Sequence, residues 1–208
     1  MSFLAEPQGY TPKEFAGFVE RLEWNVWRPN FVTLHNTGAP TLAAWLDSPS
    51  AAKQRIEGQR HYERDILHWH SGVHLFVAPN LIWNLCDLTQ EGVSVSCWNH
   101  LTLGIEMIGD YATEGFDSGA GAQVRDNAVA AMAILHRRLG LRPDQYRCGV
   151  RGLHFHKECS RDHHDCPGRN VVKADVVARV LAKMEALNGA AASSGADQST
   201  SGEQICTG

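Results

Sequence analysis

The sequence predicts a single α/β domain in which a central mixed β-sheet is flanked by helices. Short apolar runs with strand composition alternate with longer segments whose apolar residues recur at helical spacing. The 208 residues are 43% hydrophobic and 20% charged, which is ordinary for one globular domain. We expect this domain to span residues 1–187. Residues 188–208 are poor in apolar side chains and are expected to form a disordered tail.

Four segments have helical signals. Thr11 and Pro12 supply an N-cap and a proline at the first helical position, and Gly140 is a natural helix stop. In the second segment we expect Ile56, Tyr62, Ile66 and Leu67 to face the core. The four predicted helices cover residues 11–22, 48–68, 124–139 and 170–187.

The strand predictions rest on short runs of β-branched and other apolar residues. The run Ala78-Pro79-Asn80 separates two of them and indicates a hairpin. The run at 101–108 is apolar enough to lie centrally in the sheet. The predicted strands cover residues 31–34, 73–77, 81–85 and 101–108, with a last short strand or loop at 150–156.

Composition also limits the possible functions and locations. The net charge of −4 and the scattered basic residues argue against a nucleic-acid partner. No apolar run reaches the roughly 20 residues that a bilayer-spanning helix needs, and the N-terminal residues do not resemble a signal peptide. We therefore expect cytoplasmic synthesis without membrane insertion. In that compartment the six cysteines are expected to be thiols or metal ligands, with Cys86, Cys97 and Cys148 as buried free thiols.

Residues 154–168 are the most informative stretch of the chain. They contain four of the eleven histidines and two of the six cysteines. Imidazole and thiolate are preferred Zn²⁺ ligands, and the spacing does not match a zinc finger. A site with three protein ligands and one open position fits better, and it needs a ligand from elsewhere. His35, at the end of a predicted strand, is the candidate, together with Cys166 and one histidine of the stretch.

Two further residues are candidates for catalysis. Glu106 lies among apolar residues of a predicted strand, where burying a carboxylate is costly, so it is either a general base or a solvent-facing residue of an edge strand. His164 lies two residues before Cys166, on the same side of an extended segment. It is placed to donate a hydrogen bond to an oxyanion on a substrate carbonyl.

Four pieces of the sequence together resemble the type-2 N-acetylmuramoyl-L-alanine amidases, zinc enzymes that share a fold with peptidoglycan recognition proteins. These pieces are Leu34 to Thr37, Gly72 to Val77, Trp98 to Asp110 and His156 to Gly168. The resemblance implies Zn²⁺ bound by His35, His156 and Cys166, with His154 left open as the alternative to His156. It implies Glu106 as the catalytic glutamate and His164 at the position where many members carry a lysine. Val73 stands where some members have a catalytic tyrosine.

The resemblance also implies the substrate, which is the amide between N-acetylmuramic acid and L-alanine in peptidoglycan. Asn36, His74, Trp98 and Asn99 are candidates to line the substrate groove, and for His74 a backbone-bonded strand histidine is the equal alternative. We expect a monomeric, endolysin-like enzyme that acts on the cell wall once released. A cytosolic enzyme of muropeptide recycling, a non-catalytic peptidoglycan-binding protein and a structural zinc domain with a fourth ligand such as His163 or Cys159 are the alternatives.

Overall fold

A six-stranded mixed sheet forms the centre of the protein in a computed structural model, which describes residues 2–159, 161 and 165–196. The spatial order of its strands is β1-β4-β3-β5-β2-β6. Strand β4 pairs antiparallel with β1 and β3, whereas β3, β5, β2 and β6 are mutually parallel. The strands are Phe3–Tyr10 (β1), Phe31–Asn36 (β2), Leu75–Val77 (β3), Ile82–Cys86 (β4), Thr102–Met107 (β5) and Leu153–Phe155 (β6). The predicted mixed sheet with flanking helices is confirmed.

Helices cover both faces of this sheet. The α-helices are Pro12–Glu20 (α1), Leu42–Leu46 (α2), Ala52–His61 (α3), Gly119–Leu139 (α4) and Lys173–Ala196 (α5). Helix α1 begins with the predicted cap, a capping box formed by Thr11 and Glu14, and α4 ends at Gly140 in the left-handed conformation. Helices α1, α4 and α5 enclose the larger core on one face, and α2 and α3 pack on the other.

The alternation of side chains along the strands separates the core from the site. In β2, Val32 and Leu34 join the core under α4. Since successive side chains of a strand point to opposite faces, Thr33 and His35 lie on the α3 face. In β5, Leu103 and Ile105 are in the same core, so Glu106 shares the α3 face with His35.

Two elements have no counterpart among the predictions. Strand β1 contains Pro7 and is only partly buried, so its sequence lacks a clear apolar alternation. It lies at the edge of the sheet, where a proline is tolerated. Helix α2 has five residues, too few for helical periodicity to be visible in sequence.

The second predicted helix is interrupted, which overturns part of its predicted buried face. Helix α3 ends at His61 and continues as a π-helical turn over Tyr62–Ile66. The wider turn changes the angular position of each side chain. Tyr62 and Ile66, predicted to face the core, are 49% and 58% exposed, whereas Glu63 is only 2% exposed.

The cysteine prediction is wrong for two of the three residues that it placed as buried free thiols. Cys97 forms a disulfide with Cys159, and Cys148 is an exposed free thiol. Cys86 is the buried free thiol that we expected. The disulfide joins residues 62 positions apart, and sequence alone gives no sign of that proximity. It also removes Cys159 as a possible fourth metal ligand.

Helix α5 changes the expected end of the ordered chain. It continues to Ala196, so the boundary predicted at residue 187 lies inside a helix. Residues 197–208 lie outside the described residues, as does His164. None of the helices in the described ranges is long and apolar enough to cross a membrane.

Candidate metal centre and active site

Three neighbouring strands place a row of functional side chains on the α3 face of the sheet. His35 of β2 is paired in register with Glu106 of β5, and Glu106 is paired with Phe76 of β3. Register partners on adjacent strands have their side chains on the same face. Strand β5 is central, which excludes the interpretation that Glu106 belongs to a solvent-facing edge strand.

His35, His156 and Cys166 converge on one point. Their potential ligand atoms all lie within 4.8 Å of one another. The Nδ1 atoms of His35 and His156 are 3.1 Å apart. Two nitrogens that share a tetrahedral Zn²⁺ at normal bond lengths are separated by about 3.3 Å. Two imidazoles and one thiol therefore fit a metal such as Zn²⁺ in both chemistry and spacing.

The choice between the two histidines of the metal stretch depends on where β6 ends. His154, inside β6, is fully buried and stacks on Phe31 at a centroid distance of 4.0 Å. Its Nε2 accepts a hydrogen bond from the Gly149 N–H, so that nitrogen is already occupied. His156 opens the following 3₁₀ turn and faces His35. The geometry favours His156 as the ligand.

Several contacts hold the segment that carries His156 and Cys166. The Lys157 N–H donates to the Cys166 carbonyl at 2.9 Å, and Lys173 of α5 forms an ion pair with Glu158 at 2.6 Å. The Cys97–Cys159 disulfide ties the same segment to the loop before β5. Gly168 has a φ of +101°, and a Cβ there would lie 2.3 Å from the carbonyl carbon of Tyr111. The ligand segment is therefore anchored at both ends.

The Cys166 sulfur is held by the strand that carries His35. The Asn36 backbone N–H donates to Cys166 Sγ at 3.3 Å. Burial, and then the nearby Glu106 carboxylate, raise the pKa of Cys166 to about 12, an effect that the Asn36 N–H opposes. A bound cation favours the thiolate, because a positive charge beside an acid lowers its pKa.

Glu106 lies in the same cavity as the three ligands. This metal cavity has a volume of about 320 Å³, and its lining includes His35, Glu63, Trp69, Glu106, His156 and Cys166. Burial, followed by the charge of Glu63, raises the pKa of Glu106 to about 8. A carboxylate with a raised pKa is a stronger proton acceptor than one in water, so Glu106 is suited to act as a general base.

Glu63 is a cavity residue that our sequence reasoning missed. Its Oε1 accepts a hydrogen bond from Gln59 at 2.9 Å, whereas its buried Oε2 has no hydrogen-bond partner among the residues that the structure describes. That oxygen packs against Gly72, where a Cβ would lie 1.8 Å away, so a side chain at position 72 would displace the Glu63 carboxylate. Burial raises the pKa of Glu63 to about 7, while the Gln59 bond opposes the rise. In the sequence, Glu63 stands between Tyr62 and Ile66, two residues that were predicted to face the core. Only the π turn directs the Glu63 side chain into the cavity.

Glu63 should make the stability of the metal-free protein depend on pH. A carboxyl whose pKa is about 7 in the folded state and 4.5 in the unfolded state keeps its proton longer when folded. The free energy of unfolding therefore falls as the pH rises from about 4.5 to 7, and it levels off above. We expect Glu63→Gln to remove this contribution and to leave that of Glu106, so that relative to wild type the variant gains about 2 to 3 kcal/mol between pH 5 and pH 8.

Urea denaturation of the chelator-treated protein at both pH values measures this difference. Glu57→Gln, on the surface of helix α3 just before the π turn, is the matched control and should leave the pH dependence unchanged. A Glu63→Gln profile that follows the wild-type curve would show that Glu63 is ionised in the folded protein.

Of the residues proposed for the substrate groove, some line a cavity and others are buried in the core. Asn36 and its neighbour Thr37 line the metal cavity, and Asn99 lines an adjoining cavity. Trp98 is 7% exposed and packs edge-on against Phe31, so it belongs to a core cluster and not to the groove.

His74 does not face the groove, contrary to the first of the two interpretations. It is fully buried; the Gly104 N–H donates to its Nδ1, and its Nε2 lies 2.9 Å from the Gln90 carbonyl. Nδ1 must accept, so the proton is on Nε2, which donates to Gln90. Burial lowers the pKa of His74 to about 4, so the ring is neutral at pH 7.

Exposed aromatic side chains rim the metal cavity instead. Tyr62 and Trp69 are 49% and 37% exposed, and both contribute to its lining. The exposed aromatic and apolar side chains near a polar cavity are typical of a ligand-binding rim.

The comparison with known families decides the class of protein. The family model described as N-acetylmuramoyl-L-alanine amidase matches residues 26–169, which is more than half of the chain. The chain belongs to this amidase family. The matched range contains His35, Glu106, His156 and Cys166, so the candidate centre lies entirely within the amidase domain. The protein is thus an N-acetylmuramoyl-L-alanine amidase. A search of curated protein sequences found no significant match.

Solved structures show the same fold at low identity. The endolysin amidase LysCS of Clostridium intestinale is 19% identical in sequence, with a TM-score of 0.51. The superposition covers 76% of the present chain and 87% of LysCS. The Staphylococcus aureus hydrolase AmiA is 18% identical with a TM-score of 0.55, and the superposition covers 79% of the present chain and 77% of AmiA. The Drosophila peptidoglycan recognition protein PGRP-LB is 17% identical with a TM-score of 0.55, and the superposition covers 73% of the present chain and 82% of PGRP-LB.

Proposed function

We propose that this amidase is a zinc-dependent enzyme that cleaves the bond between N-acetylmuramic acid and L-alanine in peptidoglycan, in the manner of an endolysin. The observation that carries the proposal is the convergence of His35, His156 and Cys166 beside Glu106 in one cavity. Three ligands of this kind leave a coordination position for substrate or water, as in catalytic zinc sites. A non-catalytic binding protein has no need of the ligand set together with a half-buried carboxylate in the same cavity.

The metal and the protein have separate tasks in this proposal. His35, His156 and Cys166 would hold Zn²⁺, which supplies Lewis acidity that polarises a carbonyl and acidifies water. The Asn36 N–H orients the Cys166 sulfur. The anchored segment around Glu158 keeps both of its ligands in place before substrate arrives, which reduces the cost of reorganisation in the transition state.

Glu106 would move the proton. Its half-buried carboxylate would accept a proton from the attacking water and return it to the nitrogen of the leaving L-alanine. Burial makes Glu106 a stronger proton acceptor than a carboxylate in water, which suits a group that first takes and then returns a proton. His164, which lies outside the described residues, remains our candidate for stabilising the oxyanion, on the strength of its position two residues before Cys166.

The disulfide supports action at the cell wall over a role in cytosolic recycling. Disulfides persist in oxidising surroundings and are rare in the reducing cytoplasm. Cys97–Cys159 braces the segment that carries two of the three candidate ligands, which favours a site of action outside the cytoplasm. Endolysins are among the structural relatives, including that of the Thermus scotoductus bacteriophage Ph2119. We propose that the protein acts as a monomer on peptidoglycan.

The bond that is cleaved tests this proposal directly. Purified cell walls are digested with the zinc-loaded protein, and the soluble products are identified by mass spectrometry. We expect free stem peptides that begin with L-alanine and glycan strands with an intact lactyl carboxylate. Products from cleavage within the glycan or within the stem peptide would overturn the assignment.

A further inference from the structure

The Cys97–Cys159 disulfide joins the two parts of the chain that carry His156 and Glu106. Cys159 follows the 3₁₀ turn that begins at His156, and its backbone N–H donates to the His156 carbonyl at 2.9 Å. Cys97 lies in the loop that leads into strand β5, and β5 carries Glu106. The bond therefore connects the turn of a candidate metal ligand to the loop before the strand of the candidate base.

The other contacts of the His156 turn are noncovalent. Strand β6, which precedes the turn, has three residues, lies at the edge of the sheet and pairs with β2. Glu158 accepts a hydrogen bond from the Phe155 N–H at 3.1 Å and pairs with Lys173 of α5 at 2.6 Å. Short segments with few contacts open locally at low cost in free energy. The disulfide adds a covalent tie from this turn to a third part of the fold.

The loop that contains Cys97 is a firm anchor for such a tie. The side-chain oxygen of Asn99 accepts hydrogen bonds from the backbone N–H groups of Ser94 and Val95, both at 2.8 Å. Trp98 of the same loop is buried in a small core cluster. A cross-link to an ordered loop reduces the number of conformations that the attached turn can adopt. The disulfide therefore restricts the position of His156 through Cys159.

The disulfide is also open to exchange with small thiols. Cys159 is only 1% exposed, but Cys97 is half-buried and offers its sulfur to solvent. In a reducing compartment both residues are thiols. With glutathione disulfide as the oxidant, the two thiols lose two protons and two electrons as the S–S bond forms. The oxidant takes up both and leaves as two molecules of glutathione.

We propose that the Cys97–Cys159 disulfide positions His156 and that its formation changes the metal centre from weak to strong zinc binding. The two imidazoles are held with their Nδ1 atoms 3.1 Å apart, and His35 is fixed by the central sheet. Without the disulfide the His156 turn must be ordered when the metal binds, and that loss of entropy weakens binding.

This arrangement makes the metal centre depend on the compartment. A wall-cleaving enzyme would bind its metal firmly only after leaving the reducing compartment in which it is made. That setting rests on the proposed function, whereas the effect on zinc affinity does not.

The Kd for Zn²⁺ in the two redox states tests the proposal. The wild type is reduced with a phosphine, because thiol reductants bind zinc themselves, and Kd is measured by competition with a chromogenic chelator. We expect Kd to be about tenfold or more higher in the reduced protein, as for other losses of support around metal ligands. Glutathione disulfide should restore the low Kd, and alkylation with mass spectrometry should show that the Cys97–Cys159 pair has re-formed.

Two variants separate the disulfide from other effects of the reagents. The double variant with Cys97→Ser and Cys159→Ser should bind zinc as weakly as the reduced wild type and should respond to neither reagent. Cys148→Ser is the matched control, because Cys148 is an exposed free thiol, and it should keep the full response. A double variant that still responds would overturn the proposal, since the reagents would then act elsewhere.

Three results with the wild type alone would also overturn the proposal. The first is an equal Kd in the two redox states. The second is a reduced protein that circular dichroism shows to be unfolded, because the bond would then support the whole fold and not the His156 turn. The third is a disulfide that persists in glutathione buffer at the reduced ratio of the cytoplasm, because no switch would then operate.

Digestion of purified walls by the same samples separates this inference from the proposed function. A Kd that follows the redox state without cleavage of the muramoyl–alanine bond would refute the proposed function and leave the positioning role intact. Cleavage of that bond with the same Kd in both states would refute the positioning role and leave the proposed function intact.

Discussion

Replacing Cys166 with serine should abolish hydrolysis and release most of the bound zinc. The thiolate supplies the anionic ligand of the proposed set, and a serine hydroxyl at pH 7 is neutral and a poor substitute. His35→Ala should have the same two effects, because it removes a ligand held by the central sheet. We expect activity on purified walls to fall by more than about a thousandfold in each variant.

Zinc content after dialysis and the release of soluble peptide measure these effects together. Cys148→Ser is the control, since Cys148 is an exposed free thiol and should be replaceable without loss of metal or activity. Both quantities need to fall in the ligand variants and to persist in the control. A Cys166→Ser protein that keeps one zinc per chain would show that the ion is held elsewhere.

Replacing Glu106 with glutamine should leave zinc bound and remove most of the turnover. Glutamine has the same shape but cannot accept a proton, and general base catalysis contributes about a hundredfold to ten-thousandfold in rate. The loss should fall on kcat with little change in KM, since the carboxylate acts on the proton and not on substrate binding. Burial already disfavours the charged form of Glu106, so the neutral amide should not lower the Tm.

Three measurements on the same sample test these expectations. Steady-state kinetics on a soluble muropeptide give the turnover, zinc analysis gives the metal content, and thermal unfolding gives the Tm. Glu91→Gln is the control, because Glu91 is an exposed glutamate of the loop after β4. Turnover within a few-fold of wild type in Glu106→Gln would eliminate Glu106 as the base. Loss of zinc in that variant would indicate instead that Glu106 helps to hold the metal.

Much of the candidate site could be predicted because it depends on residue type and on the period of a strand. An imidazole at the end of an apolar run, a glutamate within another run and a stretch rich in His and Cys are visible without any coordinates. The alternation along β2 and β5 places His35 and Glu106 on the face opposite the core residues. What the sequence does not contain is the register that makes His35 and Glu106 direct neighbours.

The choice between His154 and His156 shows where sequence reasoning stops. The two residues are two positions apart, so an extended strand would direct both to the same side. Strand β6 ends at Phe155, and His156 turns toward His35 while His154 stays packed on Phe31. Where a strand ends depends on its pairing with β2, and this is a contact between distant parts of the chain.

The sequence by itself determined the mixed α/β class, the start of α1 at Thr11 and the end of α4 at Gly140, and the chemical types of the candidate metal ligands and base. These features depend on local spacing and composition. Only the tertiary structure decided the Cys97–Cys159 disulfide, the burial of Glu63 by a π turn and the convergence of His35, His156 and Cys166. Each of these joins groups from separate segments or departs from regular helical geometry. Local sequence patterns do not predict such contacts, because they depend on how distant segments pack against each other across the sheet.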